Sequence, residues 1–310
     1  MPKVHNRDDV PAPRPLWTAG RNRCSSATPG SSERSDSYGV QNYTWETLLS
    51  GHIGDTHVPG SDPAGGYDPP AMNPRVRLNV WSGPRNVSTA LMYAFAQRSD
   101  ARVVDEPLYA HYLRVTGADH PGRDLVLAAQ ENDGEKVVER EILGPCDRPL
   151  VMFKQMAHHL VALDRSFLSK TTNVLLTRDP EEMLTSLVAN IPEPTLRDTG
   201  YAAQTEILAH LVHLGRKPVV LVAHRILQDP EGVLRKLCER VDIAFEPAML
   251  TWTPGARPED GVWAPFWYAN VHRSSGFQEY VRKAARVPER LRPLLATCRE
   301  HYARLVEHAD

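Results

Sequence analysis

The run LNVWSGPRNVSTAL, from Leu78 to Leu91, constrains this chain more than any other, because it joins an apolar strand pattern, a short loop and the start of a helix without a break. The loop holds Gly83, Pro84, Arg85, Asn86, Val87, Ser88 and Thr89, and an apolar helical period resumes directly behind it. A helix N-terminus reached in this way presents unpaired N–H groups and a partial positive charge, so an oxyanion placed there is held by backbone donors. Arg85 adds charge, and Ser88 and Thr89 add hydroxyls. An ordinary turn in which the two hydroxyls only cap the helix has the same letters, so the loop by itself marks an anion site and no particular ligand.

From Arg75 onward short apolar runs alternate with helical patterns, which is the signature of βαβ units around a parallel sheet. Strands are expected at Arg77–Trp81, Ala101–Val104, Leu150–Phe153, Asn173–Thr177 and Val219–Val222. Helices are expected over Val87–Arg98, behind Asp179 with Pro180 at the first position and Glu181 and Glu182 in the first turn, and over Thr199–Leu214, Pro230–Val241 and Pro288–Glu307. The expected class is α/β, a P-loop-type three-layer sandwich with a central parallel sheet flanked by helices. Residues 1–73 are rich in Pro, Gly, Ser and Asp and lack the apolar surface to fold, so a disordered extension before a single domain at 74–310 is expected.

Composition narrows the function. Lys and Arg number 36 against 38 Asp and Glu, a balance that argues against a general nucleic-acid or acidic-membrane binder. Cys24, Cys146, Cys238 and Cys298 are scattered and form no CxxC pair, which suggests neither a zinc site nor a disulfide framework and fits a reducing cytoplasm. The N-terminus lacks a signal-type apolar region, and no run reaches the roughly 18 apolar residues of a membrane span. The chain is read as soluble.

The run SGPRNVSTAL resembles the loop that binds the 5′-phosphosulfate of 3′-phosphoadenosine 5′-phosphosulfate (PAPS) in sulfotransferases of the tyrosylprotein and bacterial type, with Pro84, Arg85 and Thr89 matching. Asn86 and Val87 depart from it, standing where Ser and Gly are usual. The segment NVLLTRDPEEMLTSLVAN resembles the same family's 3′-phosphate signature, an Arg at a strand end followed eight residues later by a helical Ser, here Arg178 and Ser186. Ser186 lies close to two helical turns beyond the Asp179 cap, on a face that Arg178 can reach. A forked guanidinium and a hydroxyl suit a terminal phosphate dianion. The whole looks closest to a sulfotransferase-like group that includes the domain joined to aminotransferase-like proteins in plants.

The resemblance implies sulfuryl transfer from PAPS to a hydroxyl or amine of a small-molecule or peptide acceptor, leaving PAP and using no metal. It also implies a catalytic Glu about twenty residues beyond the loop, where Glu106 stands, and a lysine at a strand end that steadies the sulfuryl group, where Lys154 stands. Both stand at the C-terminal ends of strands, where open α/β sheets bind ligands. Asp105 is the less favoured base. His158 and His159 are reserves, expected as cap partners or surface residues. His224 and Arg225 are expected to be structural. The non-periodic stretch with Trp263, Trp267, Tyr268, His272, Arg273, Ser274 and Ser275 has the composition of a substrate lid in which Ser274 or Ser275 could touch phosphate. A P-loop kinase and a non-catalytic nucleotide-binding module stay open beside this reading. The kinase lacks a Lys before the loop hydroxyls, and Val87 favours the module.

Overall fold

A computed structural model describes residues 74–282 and 286–309. The expectation for residues 1–73 lies outside the described residues. Five parallel strands, β1 (Val76–Ser82), β2 (Ala101–Asp105), β3 (Leu150–Met156), β4 (Thr172–Thr177) and β5 (Val219–Val222), form one sheet in the order β2-β3-β1-β4-β5. The α/β class and the five strands expected from the sequence are those observed, each within a few residues.

Strand side chains alternate between two apolar cores, because the sheet is covered on both faces and successive residues point to opposite sides. Leu78, Val80, Met152, Val174 and Leu176 join the core under the helices Ser88–Ala96 and Pro230–Arg240. Trp81, Phe153, Leu175 and Val220 join the core under Pro180–Leu187, Tyr201–His213 and Arg292–Val306. Asp179 caps Pro180–Leu187 by accepting from the backbone N–H groups of Glu181 and Glu182, as the Asp-Pro-Glu-Glu run predicts. The helix expected from Thr199 starts instead at Tyr201, because Gly200 takes φ 76° and breaks the turn before it. Among the described residues no helix is long and apolar enough to cross a membrane.

The strand order positions the site. From β1 the chain moves to one side for β2 and β3 and to the other for β4 and β5, so the topological switch falls between β1 and β4. Two amides tie the strand ends across it: Asn86 Nδ2 donates to Leu176 O at 2.9 Å, and Gln204 Nε2 donates to both Trp81 O and Leu176 O. Gly83 lies against this crossing so closely that an added Cβ would stand 2.7 Å from Thr199 O, which leaves no room for a side chain.

Candidate active site

A cavity of about 670 Å³ opens at the C-terminal ends of β1 to β4, within the size range of small-molecule sites. Its wall takes in the whole loop Gly83–Thr89 together with Glu106, Lys154, Arg178, Ser186 and Ser274, so one crevice gathers residues spread over most of the described chain. Ser275 is outside this wall: it is exposed, and its carbonyl accepts from the Trp252 backbone. Ser274 reaches the cavity, but its hydroxyl donates to Val271 O and accepts from Trp252 Nε1, which makes it a brace for its own segment.

At the loop end, Arg85 adopts φ 54°, a left-handed conformation costing a non-glycine residue about 1–3 kcal/mol, and this strain sits beside an unusual charge arrangement. Arg85 Nε donates to Ser186 Oγ at 2.9 Å, and Arg178 donates to the Arg85 carbonyl at 2.9 Å. Arg178 also pairs with Glu182 at 3.1 Å, while no carboxylate among the described residues pairs with Arg85. Burial, and then the Arg178 cation, lower the Arg85 guanidinium from its ordinary value, as happens where positive charge lacks a counter-ion. The helix behind the loop has Val87 as its N-cap and no side-chain cap, so Ser88 and Thr89 do not act as caps. Two guanidiniums, a hydroxyl and an uncapped helix N-terminus fit a phosphate or phosphosulfate group.

The two departures in the loop now have physical accounts. Asn86 both bonds Leu176 O and accepts from Val87 N, stitching the loop to β4. Val87 takes φ −92°, which any residue adopts, and packs against the apolar core, so glycine is not required there.

At the other end Lys154, Asp105 and Glu106 form a buried cluster. The register places Asp105 directly beside Lys154, and the Lys154 ammonium donates to Asp105 Oδ1 at 2.9 Å. Strand alternation would send Glu106 to the opposite face, but Glu106 takes φ 40° and turns back to pair with the same ammonium. Tyr268 accepts from Lys154 at 2.7 Å, donates to Asp105 Oδ2 at 2.7 Å and accepts from Trp263 Nε1 at 3.0 Å. An ammonium has three donors, and all three are used. The three protons of Lys154 are held by Asp105, Glu106 and Tyr268, so steadying a transferring group, as expected from the sequence, would require one of these bonds to be given up. Burial raises the Glu106 carboxyl against the pull of Lys154. Burial by itself would lower the Lys154 ammonium, but the two carboxylates outweigh it and raise it.

His158 and His159 are also corrected. Neither is a surface residue or a cap partner: they follow β3 in a tight turn and are 5% and 1% exposed. His159 stacks between Tyr109 and Tyr112, each at 4.7 Å, and His158 lies edge-on to Tyr112 at 5.2 Å. Burial lowers His158 to about 3 and His159 well below its ordinary value, so both are neutral at pH 7. Groups with depressed values stabilise the fold above the unfolded value near 6.5 and lose that contribution as pH falls toward the folded one. His158 is expected to remove about 2 kcal/mol of stability between pH 6.5 and pH 5, at about 1.4 kcal/mol per unit, and His159 adds to the loss in the same direction. Urea unfolding at the two pH values measures this, and His158→Gln should recover about one histidine's share.

The expected lid is a packed wall. Trp263 and Tyr268 are buried, Gly261 N donates to Asp105, and Asp260 accepts from Tyr93 and contacts His272 Nε2 at 2.9 Å. Tyr109, His120 and Asp198, which no sequence pattern singled out, also line the cavity. Tyr109 and His120 come from the β2-to-β3 crossover, whose helices Tyr109–Thr116 and Arg123–Ala129 are too short to show a clear period.

With this geometry in place, comparison with known proteins assigns the class. A family model described as "Sulfotransferase domain" matches residues 76–298, and the chain belongs to that family. Among curated proteins it is similar to branched-chain-amino-acid aminotransferase-like proteins 1 and 2 of Arabidopsis thaliana. The first is 39% identical over 72% of this chain and 42% of the relative, the second 40% identical over 64% and 36%. The chain therefore spans about two fifths of the length of these relatives. Among solved structures it is similar to the sulfotransferase domain of the olefin synthase of Synechococcus PCC 7002, with TM-score 0.45 and 15% identity over 76% of this chain and 97% of that one. It is also similar to the sulfotransferase domain of the curacin biosynthetic pathway, with TM-score 0.47 and 16% identity over 75% and 99%.

Proposed function

We propose that this chain is a PAPS-dependent sulfotransferase acting on a hydroxyl or amine acceptor. The observation that carries the reading is the convergence of Arg85, Arg178 and Ser186 on an uncapped helix N-terminus in the same cavity as a buried Glu106. In this reading PAPS supplies an activated sulfuryl group. The loop N–H groups, Arg85 and Thr89 hold the 5′-phosphosulfate and take up charge on the leaving phosphate, while Arg178 and Ser186 hold the 3′-phosphate. Glu106 takes the acceptor's proton. Lys154 and Asp105 set the position and charge of Glu106 and do not contact the transferring group.

Titration calorimetry of the 310-residue chain with PAP, with ATP plus magnesium and with inorganic phosphate tests the donor. PAP is expected to bind, and Arg85→Ala or Arg178→Ala should each weaken it by about 10- to 100-fold, the range for one charge-assisted contact. Binding of ATP but not PAP would overturn the reading in favour of a kinase.

A further inference from the structure

Glu106 has φ 40°, a left-handed conformation that a residue with a β-carbon keeps only where its surroundings hold it there. Two of the holding bonds are backbone bonds: its N–H donates to Lys154 O at 2.8 Å, and its carbonyl accepts from Tyr109 N at 3.0 Å. A third comes from a side chain 24 positions away, the Gln130 amide, whose Nε2 donates to the Glu106 carbonyl at 3.1 Å. Gln130 Oε1 accepts from Ala110 N at 3.1 Å. This second bond answers a need of the helix Tyr109–Thr116, which gets no side-chain cap from Leu108 and would otherwise leave the N–H of its second residue without a partner. The two partners also fix which end of the amide is which, since a carbonyl needs a donor and an N–H needs an acceptor. Gln130 itself stands where the helix Arg123–Ala129 ends, with its N–H on Val126 O at 3.1 Å and its carbonyl accepting from Asn132 Nδ2 at 3.2 Å. It is half-buried and is not part of the cavity wall. The crossover that supplies Tyr109 and His120 to that wall therefore closes on the turn it started from.

Resting on the sulfotransferase reading, we infer that Gln130 is a positioning residue for the base: its two bonds hold the left-handed turn that keeps the Glu106 carboxylate beside Lys154 and at the cavity. Without that turn, strand alternation sends the Glu106 side chain to the opposite face, away from Lys154. The carboxyl then leaves the burial that raises it and returns toward its ordinary value. An amide suits the task because it offers a donor and an acceptor together. A carboxylate at position 130 would set an acceptor against the Glu106 carbonyl, and a hydrocarbon would answer neither group. Gln130 acts through Glu106 alone, so its loss should change the state of the base and leave the donor contacts of Arg85, Arg178 and Ser186 as they are.

The test uses the full chain and two variants. Gln130→Met keeps the length of the side chain and loses both bonds. Asn132→Ala loosens the same helix end, where Asn132 Nδ2 bonds Leu127 O and Gln130 O, without reaching Glu106. The Glu106 carboxyl is titrated by carbon-13 NMR, its signal assigned by its absence in Glu106→Gln, and amide exchange, PAP affinity and sulfate release from labelled PAPS with water as acceptor are measured alongside. In that release the water oxygen forms a bond to sulfur, the sulfur–oxygen bond to the phosphate breaks with its electron pair on the phosphate, and the proton passes to Glu106. In Gln130→Met the Tyr109 and Ala110 amides should exchange about ten-fold faster. The Glu106 titration should move down toward the ordinary carboxylate range, and sulfate release should fall about ten-fold with its acid limb moving the same way. PAP affinity should be unchanged, and Gln130→Met added to Glu106→Gln should cost no further sulfate release. Asn132→Ala should leave the Glu106 titration at its wild-type position. An unmoved Glu106 titration in Gln130→Met, or an equal shift in Asn132→Ala, overturns the inference. The two readings fail separately: a wild-type chain that does not bind PAP removes the donor assignment and leaves the titration to decide the role of Gln130, while PAP binding with an unmoved titration does the reverse.

Discussion

Glu106→Gln is expected to lower sulfuryl transfer by about 10²- to 10⁴-fold while PAP affinity is retained, because a positioned general base contributes in that range and the donor contacts lie elsewhere in the cavity. The substitution keeps the shape of the side chain and removes its charge. Lys154 keeps its bonds to Asp105 and Tyr268, and the Glu106 backbone N–H still donates to Lys154 O at 2.8 Å, so the loop that carries the residue stays in place. The loss should therefore fall on kcat and spare donor binding. A second readout is independent of the variant. Burial raises the Glu106 carboxyl from its ordinary value near 4.5, and the base works only when ionised. The acid limb of the wild-type rate profile is therefore expected above the ordinary carboxylate range, and Glu106→Gln should lack that limb. Undiminished transfer by Glu106→Gln would remove the residue as the base and leave Asp105 or a neutral histidine to be tested in its place.

What the sequence made legible follows the physical range of each signal. The five strands could be read because each is a short, predominantly apolar run bounded by loop or helix signals, a property local to the run. The loop and the Arg178/Ser186 pair were legible for the same reason, since each stands on one strand-to-helix junction. The bond from Arg85 to Ser186 joins residues 101 positions apart, and its existence could only be expected from both junctions facing one crevice. The partners of Lys154 could not be read from the sequence because they depend on the register of β2 against β3, which sets Asp105 beside it, and register is a property of pairing. The left-handed turn at Glu106 has no glycine to announce it. The burial of His158 and His159 depends on Tyr109 and Tyr112, which come from a helix eight residues long. Aromatic residues scattered over three segments make one wall only after the chain has folded, which is why the stretch after Asp260 read as a lid.

Lys154→Met tests the other half of the site, and its largest expected effect is on stability. Removing the ammonium leaves Asp105 and Glu106 buried beside each other with only Tyr268 between them and no cation. Breaking a buried pair from one side costs about 3–5 kcal/mol, since the remaining charge keeps its desolvation penalty and loses its attraction. For a domain of this size that corresponds to a fall in Tm of about 10 °C. The cost has a pH signature. Without Lys154 a carboxyl at this site is raised further, so its contribution is present below the unfolded value and is lost as pH rises through the folded one. The variant should therefore lie nearest to wild type at pH 5 and furthest from it at pH 8, the opposite slope to that set by the buried histidines. Asp105→Asn added to Lys154→Met should restore part of the loss at pH 8, because one of the two opposed charges is gone. Activity should fall with stability restored, since without Lys154 burial holds Glu106 further toward its protonated form and leaves it less able to take the acceptor's proton. A Lys154→Met protein as stable as wild type at pH 8 would mean that the lysine only fills space, and Glu106 would then need another source of its charge.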